Sequence, residues 1–143
     1  MKNNRENTTG LTRDTGWQIG VRRTILVPAA ILWDFILSKQ GLTIWLGTGL
    51  DTPFLEGKEY QLTDGTTGKI RVYQPGSHFR ISRNPPDPSY DRPSLIQLRI
   101  LAVDDKSILV FHEEHLPTGE ERQRRKTHYL GVIDKIMVEM GQK

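Results

Sequence analysis

The sequence predicts an α+β fold: a curved antiparallel sheet of about six strands, two short helices after the first strand, and one long C-terminal helix. Three observations carry this. Residues 53–116 break into short runs of alternating apolar and polar residues separated by turn dipeptides, the pattern of an antiparallel meander. Between the first strand and that meander the apolar spacing changes to a helical period. After it, residues 119–141 hold a single helical pattern. A run of strands followed by a helix is the α+β order.

Residues 1–16 are polar, Asn/Thr-rich and aperiodic, and are expected to form a mobile tail before a domain at 17–143. In the first strand, Trp17, Ile19, Val21 and Ile25 share one parity. Arg23 interrupts that face and predicts a bulge or strand end nearby. Pro28 suits the first turn of a helix. Ile31, Leu32, Phe35 and Ile36 have helical spacing, widened by Trp33 and Leu37. Ser38 and Gly41 break the run. A second short helix carries Leu42, Trp45 and Leu46 and stops at Gly47 and Gly49.

The meander follows. Tyr60 and Leu62 precede the hairpin signal Asp64-Gly65. Ile70 and Val72 precede the turn Pro75-Gly76. Phe79 and Ile81 form the next strand. Residues 84–93 hold four of the eight prolines and must be an irregular loop. Ile96, Leu98, Ile100 and Ala102 then alternate with Gln97 and Arg99. Asp104-Asp105 turns the chain into the last strand, SILVFHEEHL. The final helix spans roughly 30 Å. Its first half is charged. Its second half places Leu130, Ile133, Met137 and Met140 at heptad-like spacing, broadened by Tyr129, Val132 and Ile136.

Composition narrows the function classes. A chain of 143 residues is one domain, long enough to bury about two thirds of its unfolded surface. With no cysteine, thiolate metal sites, disulfides and cysteine nucleophiles are excluded. No run approaches the ~18 apolar residues of a membrane span. The N-terminus lacks the apolar core of a signal peptide, so a soluble cytoplasmic protein is expected. Twenty basic against 17 acidic residues give a net charge of +3, a weak field with interspersed signs. With no helix-turn-helix signature and no aromatic single-strand platform, a nucleic-acid partner is not expected. No P-loop, G-x-S-x-G or dinucleotide fingerprint is present, and no cofactor is expected.

Residues 24–47, TILVPAAILWDFILSKQGLTIWLG, resemble the opening of the START-like, or SRPBCC, superfamily, in its branch similar to the activator of the ninety-kilodalton heat-shock protein's ATPase. That opening is a strand ending in a proline-started helix, a tryptophan-hydrophobic pair, then G-L-x-x-W-L-G. Trp33 and the block Gly41 to Gly47 stand in those places. The turn at 73–82 resembles the family's proline turn before its central strand. The HYLG at 128–131 is similar to its H-x-x-G-W block, with Val132 where the aromatic is usual and Arg83 where the central strand often ends in Trp. The resemblance covers residues 17–141. It implies a helix-grip fold, as in the birch-pollen allergen. In such folds a deep cavity between sheet and C-terminal helix binds lipids, polyketides or other apolar molecules. Some relatives are cyclases and some co-chaperones.

The expected lining of such a cavity is Phe79, Ile81, Ile96, Leu98, Phe111, Leu130, Ile133 and Met137, with Arg83 or His115 orienting the ligand. Arg83 shares a face with Phe79 and Ile81, where its guanidinium reaches the cavity mouth or bends into solvent. His112 to His115 read HEEH, with histidines three apart, unlike H-E-x-x-H. On a strand, Glu113 pairs with His115 on one face and His112 with Glu114 on the other, and neither pair makes a metal site. The preferred inward set is Leu109, Phe111, Glu113 and His115; the opposite facing stays open. A cavity-facing histidine–carboxylate couple would serve acid–base chemistry. Arg122, Arg124, Arg125 and Lys126 oppose the helix macrodipole and read as a solvated face, offset by Glu120 and Glu121. Gly131 inside the helix calls for close approach to the sheet or space for a ligand. Trp33 and Trp45 read as core anchors.

Three functions follow. The leading one is a binding module for an apolar or amphipathic small molecule. The alternative is a chaperone-like protein-interaction module using residues 84–93 and the basic helix segment. The third is a cyclase or dehydratase.

Overall fold

The structure, a computed structural model, describes residues 10–12 and 16–142. Strands β1 (Leu11–Thr12), β2 (Gly16–Ile25), β3 (Glu59–Gln61), β4 (Thr67–Gln74), β5 (His78–Arg83), β6 (Ser94–Val103) and β7 (Lys106–Leu116) form one antiparallel sheet. Its order is β1-β2-β7-β6-β5-β4-β3. Helices α1 (Ala29–Ile36) and α2 (Lys39–Trp45) lie between β2 and β3, and α3 (Gly119–Glu139) follows β7. The expected α+β architecture is present, with seven strands rather than about six. The added strand is β1, inside the segment expected to be a tail; the rest of 1–16, apart from Gly10 and Gly16, lies outside the described residues.

Two cross-strand rows define the inner face. One runs Tyr73, Phe79, Leu98, Phe111, Val21; the next runs Ile70, Ile81, Ile96, Glu113, Ile19. The alternation read from β5, β6 and β7 therefore holds, and one carboxylate stands in a row of isoleucines. Arg23 does not interrupt β2, which pairs regularly from Ile19 to Ile25. The irregularity sits earlier: Trp17 pairs with Leu116 and Ile19 with Glu113, so Glu114 and His115 together oppose Gln18. This bulge carries His115 at φ 66°, in the left-handed region.

Helix ends follow local chemistry. Pro28 directly precedes α1, where its missing N–H costs nothing. Ser38 Oγ accepts from Gly41 N at 3.0 Å at the start of α2. Thr118 Oγ1 does the same for Glu121 N on α3, also at 3.0 Å. Gly41 is required by packing: a Cβ there would fall 1.9 Å from the Phe35 carbonyl oxygen, so α1 and α2 meet backbone to backbone. Gly131 is the opposite case. A Cβ there meets nothing within 4 Å, so close approach to the sheet does not explain it. Among the described residues no helix is long and apolar enough to cross a membrane.

α3 lies on β2 and β7 and buries Glu121, Arg125, Tyr129, Val132, Ile133, Ile136 and Met137. Leu130, assigned inward by the heptad reading, is 49% exposed. One residue beyond Tyr129, it is turned ~100° around the helix, off the buried stripe.

Gly131→Ala is expected to stabilise the fold by about 1 kcal/mol, from helix propensity alone. Gly41→Ala should cost about 2–3 kcal/mol by overpacking two backbones. Urea unfolding midpoints of the two variants against the parent check both signs.

Candidate functional site

The inner face of the sheet carries a connected set of rings. Phe79 lies 5.3 Å from Trp45, 5.8 Å from Trp33 and 4.8 Å from Phe54, between centroids. Trp45 continues to Phe111 at 6.2 Å, and Phe111 stacks on Tyr129 of α3 at 4.9 Å. Tyr73 closes the other end against Trp33 and Phe54. These separations are those of favourable stacked and edge-on pairs. Trp33 and Trp45 are thus core anchors, as expected. Trp45 Nε1 also donates to the Ile36 carbonyl at 2.9 Å, fastening α2 to α1.

Next to the rings lies a buried ionic network centred on Glu113. Its Oε1 accepts from Arg125 Nε at 2.8 Å and from Tyr129 OH at 2.7 Å. Its Oε2 accepts from Ser94 Oγ at 2.5 Å and, more weakly, from an Arg83 terminal nitrogen at 3.4 Å. Arg83 also donates to Tyr90 OH at 3.1 Å, and Tyr90 OH donates to Glu121 at 2.6 Å. Arg124 pairs with the same Glu121. Burial alone pushes the Glu113 carboxyl up, but Arg125, Arg83 and the two hydroxyls outweigh it and hold the pKa at about 2. Burial pulls Arg125 down, and Glu113 more than restores it, so this guanidinium stays charged. His128 is set against the same cluster. Desolvation and then Arg125 lower it to about 4, so its ring is neutral near pH 7, hydrogen-bonded through Nε2 to the Trp45 carbonyl at 3.0 Å.

The structure places the expected site residues as follows. Phe79, Ile81, Ile96, Leu98 and Phe111 are fully buried on the inner face, and Ile133 and Met137 face them from α3. These side chains serve as core. Leu130 is turned out, as described above. Arg83 points inward, onto Glu113 and Tyr90 rather than into solvent. Leu109, Phe111 and Glu113 face in, but His115 does not follow them: the bulge shifts the parity, so that Leu116 is buried instead. The His115 ring lies 3.5 Å from Glu114, and its Nδ1 is buried without a hydrogen-bond partner. Glu113 and His115 therefore form no acid–base couple, and Glu113 is saturated by four donors. Among the described residues no group of three or more His, Asp or Glu could hold a metal.

The basic run on α3 is a solvated face only in part, at the exposed Arg124. Arg125 is buried on Glu113, and Arg122 Nε donates to the Gln18 carbonyl at 2.6 Å. With Tyr90 of the 84–93 loop bound to Arg83 and Glu121, both segments expected to meet a protein partner fasten the fold internally. The sequence reading missed Arg125, Tyr129, Ser94, Tyr90 and Phe54. One signal was available: Arg125 and Tyr129 are four apart on a helix, opposite an inward Glu113.

Residues 47–54 make an open groove of about 580 Å³ with Leu37 and Leu42. Phe54 lines this groove with one side and touches Phe79 and Tyr73 with the other. It belongs to both the groove wall and the ring cluster. Gly47, Gly49 and Gly57 around it have positive φ, which frees this segment from strand and helix geometry.

No protein-family model matches the chain, and no curated protein matches it in sequence. Solved structures match it in fold. CalU16 of Micromonospora echinospora aligns with a TM-score of 0.74 at 16% identity, over 88% of this chain and 76% of that one. The HSP90 activator PFC0360w of Plasmodium falciparum aligns at 0.70 and 14% identity, over 88% and 97%. DynU16, from the dynemicin biosynthetic locus, aligns at 0.71 and 13%, over 87% of this chain and 48% of its own, so this chain spans about half that protein's length. The fold is the START-like helix-grip fold. At these identities the likeness reaches no further than fold.

Both pKa shifts predict acid lability. The folded state holds His128 below its ordinary 6.5 and Glu113 below its ordinary 4.5. Each contributes stability that is present above the unfolded value and lost as pH falls toward the folded one. Stability should decline first between pH 6.5 and about 4, then between 4.5 and about 2. His128→Gln should remove the first stage, as read by urea unfolding at stepped pH. Glu113→Gln should cost about 3 kcal/mol by stranding Arg125, and adding Arg125→Met should recover part of it.

Proposed function

We propose that this chain binds an apolar, aromatic-type small molecule between the sheet and α3, admitted from the groove when Phe54 swings aside. The position of Phe54 carries this reading: it lines a solvent-open groove and also contacts Phe79 and Tyr73 of the ring cluster. Opening it exposes Phe79, Trp33 and Tyr73, and a planar ligand can replace Phe54 in the same edge-on and stacked contacts. A ligand burying roughly 300 Å² of apolar surface gains about 7 kcal/mol before ordering costs. One neighbour in fold, DynU16, belongs to the dynemicin biosynthetic locus, a setting in which a small molecule is made. The network around Glu113 is not part of the chemistry. It is ionised, saturated and rigid, which suits a binding scaffold and leaves no free base for turnover. The setting proposed is cytoplasmic.

The test is a titration with flavonoids, polyketide-like aromatics, sterols and fatty acids, followed by amide NMR. Saturable shifts at Phe79, Leu98, Phe111 and Ile133 are expected with the aromatic compounds. Phe54→Ala should lower stability by about 1–2 kcal/mol and speed ligand association. A panel that leaves these amides unmoved in both parent and Phe54→Ala protein overturns the reading.

A further inference from the structure

The face of the sheet turned away from α3 has its own pattern. One cross-strand row reads Arg22, Val110, Arg99, His78. The neighbouring row reads Gly20, His112, Gln97, Arg80, Val72. A third begins Thr24, Ile108, Leu101. All of these residues are exposed or half-buried. Arg22, Arg80 and Arg99 form no ion pair among the described residues. Arg80 only donates to Gln97, at 2.9 Å. The three rows contain no carboxylate. The nearest acid along β7, Glu114, lies 3.8 Å from His112 and 3.5 Å from His115.

Gly20 adds a second, independent observation. It lies inside a ten-residue strand, where glycine is unfavourable and often marks a bulge, a bend or close approach by another molecule or backbone; the bulge of this strand pair lies between Trp17 and Ile19, just before it. Packing does not require it: a Cβ there meets only His112 Cδ2 and the Phe111 carbonyl, both at 3.8 Å. A mainly apolar hollow of about 180 Å³ lies at this glycine, lined with Val21, Arg22, Val110, Phe111 and His112. That volume accepts one aliphatic side chain.

We propose that this face docks an acidic protein segment, whose carboxylates pair with Arg22, Arg80 and Arg99 while one aliphatic side chain seats over Gly20. Charge complementarity fixes the sign of the partner. The aliphatic hollow fixes its class. No Trp, Tyr or Phe stands in these three rows, so the surface offers no ring platform of the kind that single-stranded nucleic acid uses. The inference is separate from the ligand site on the opposite face.

The test is an amide NMR titration with a synthetic peptide of alternating Glu and Leu. A Glu-Gly peptide and a thymidine oligonucleotide serve as comparators. The Glu-Leu peptide should shift Gly20, Arg22, Val110 and Arg99 saturably, and more tightly than either comparator. The double substitution Arg22→Glu with Arg99→Glu should weaken it roughly tenfold. Gly20→Val should weaken it similarly while leaving the thermal midpoint no lower, since valine favours a strand. The proposal is overturned by an absence of saturable shifts on this face, by equal binding of either comparator, or by undiminished binding to Gly20→Val.

Discussion

Glu113 sets a full negative charge in a row otherwise made of isoleucines. A buried carboxylate without partners costs several kcal/mol, so everything around it is arranged to supply donors. Arg125 and Tyr129 come from α3, Ser94 from β6 and Arg83 from β5. Relative to an apolar row of equal volume, such a network adds little net stability. What it fixes is geometry. α3 can satisfy Glu113 in only one rotation, and that rotation turns Leu130 to solvent and Ile133 and Met137 to the core. The proline-rich loop is held by the same device, because Tyr90 bridges Arg83 and Glu121.

With the helix pinned at its charged half, the apolar half closes over the rings. Tyr129 belongs to both systems: its hydroxyl binds Glu113 and its ring stacks on Phe111. Phe54 stands at the far end, on a glycine-flanked segment without strand or helix. The two faces of the sheet differ. The inner face is ring-rich and closed by α3, while the outer face carries arginines that form no ion pair among the described residues, beside a hollow.

Sequence reasoning went furthest where a signal is local. The parity of Phe79, Ile81, Ile96, Leu98 and Phe111 and the proline before α1 depend on neighbours in the chain and stand as read, whereas Gly41, read as a break, lies inside α2 behind the Ser38 cap. It failed at His115, because a bulge two strands wide is created by pairing with β2 and leaves no mark in HEEH itself. It failed at Leu130, because apolar character was counted and a buried arginine was not. Arg125 reads as solvated in any local window, and only a carboxylate twelve residues away in sequence makes it core.

By itself, then, the amino-acid sequence determined the α+β order, the parity of the central strands and the proline start of α1, since these arise from backbone sterics and periodicity within a few residues. Only the tertiary structure decided which charges are buried, how α3 is rotated and which rings meet in the interior. Those outcomes depend on desolvation, and desolvation is set by what distant segments bring into contact.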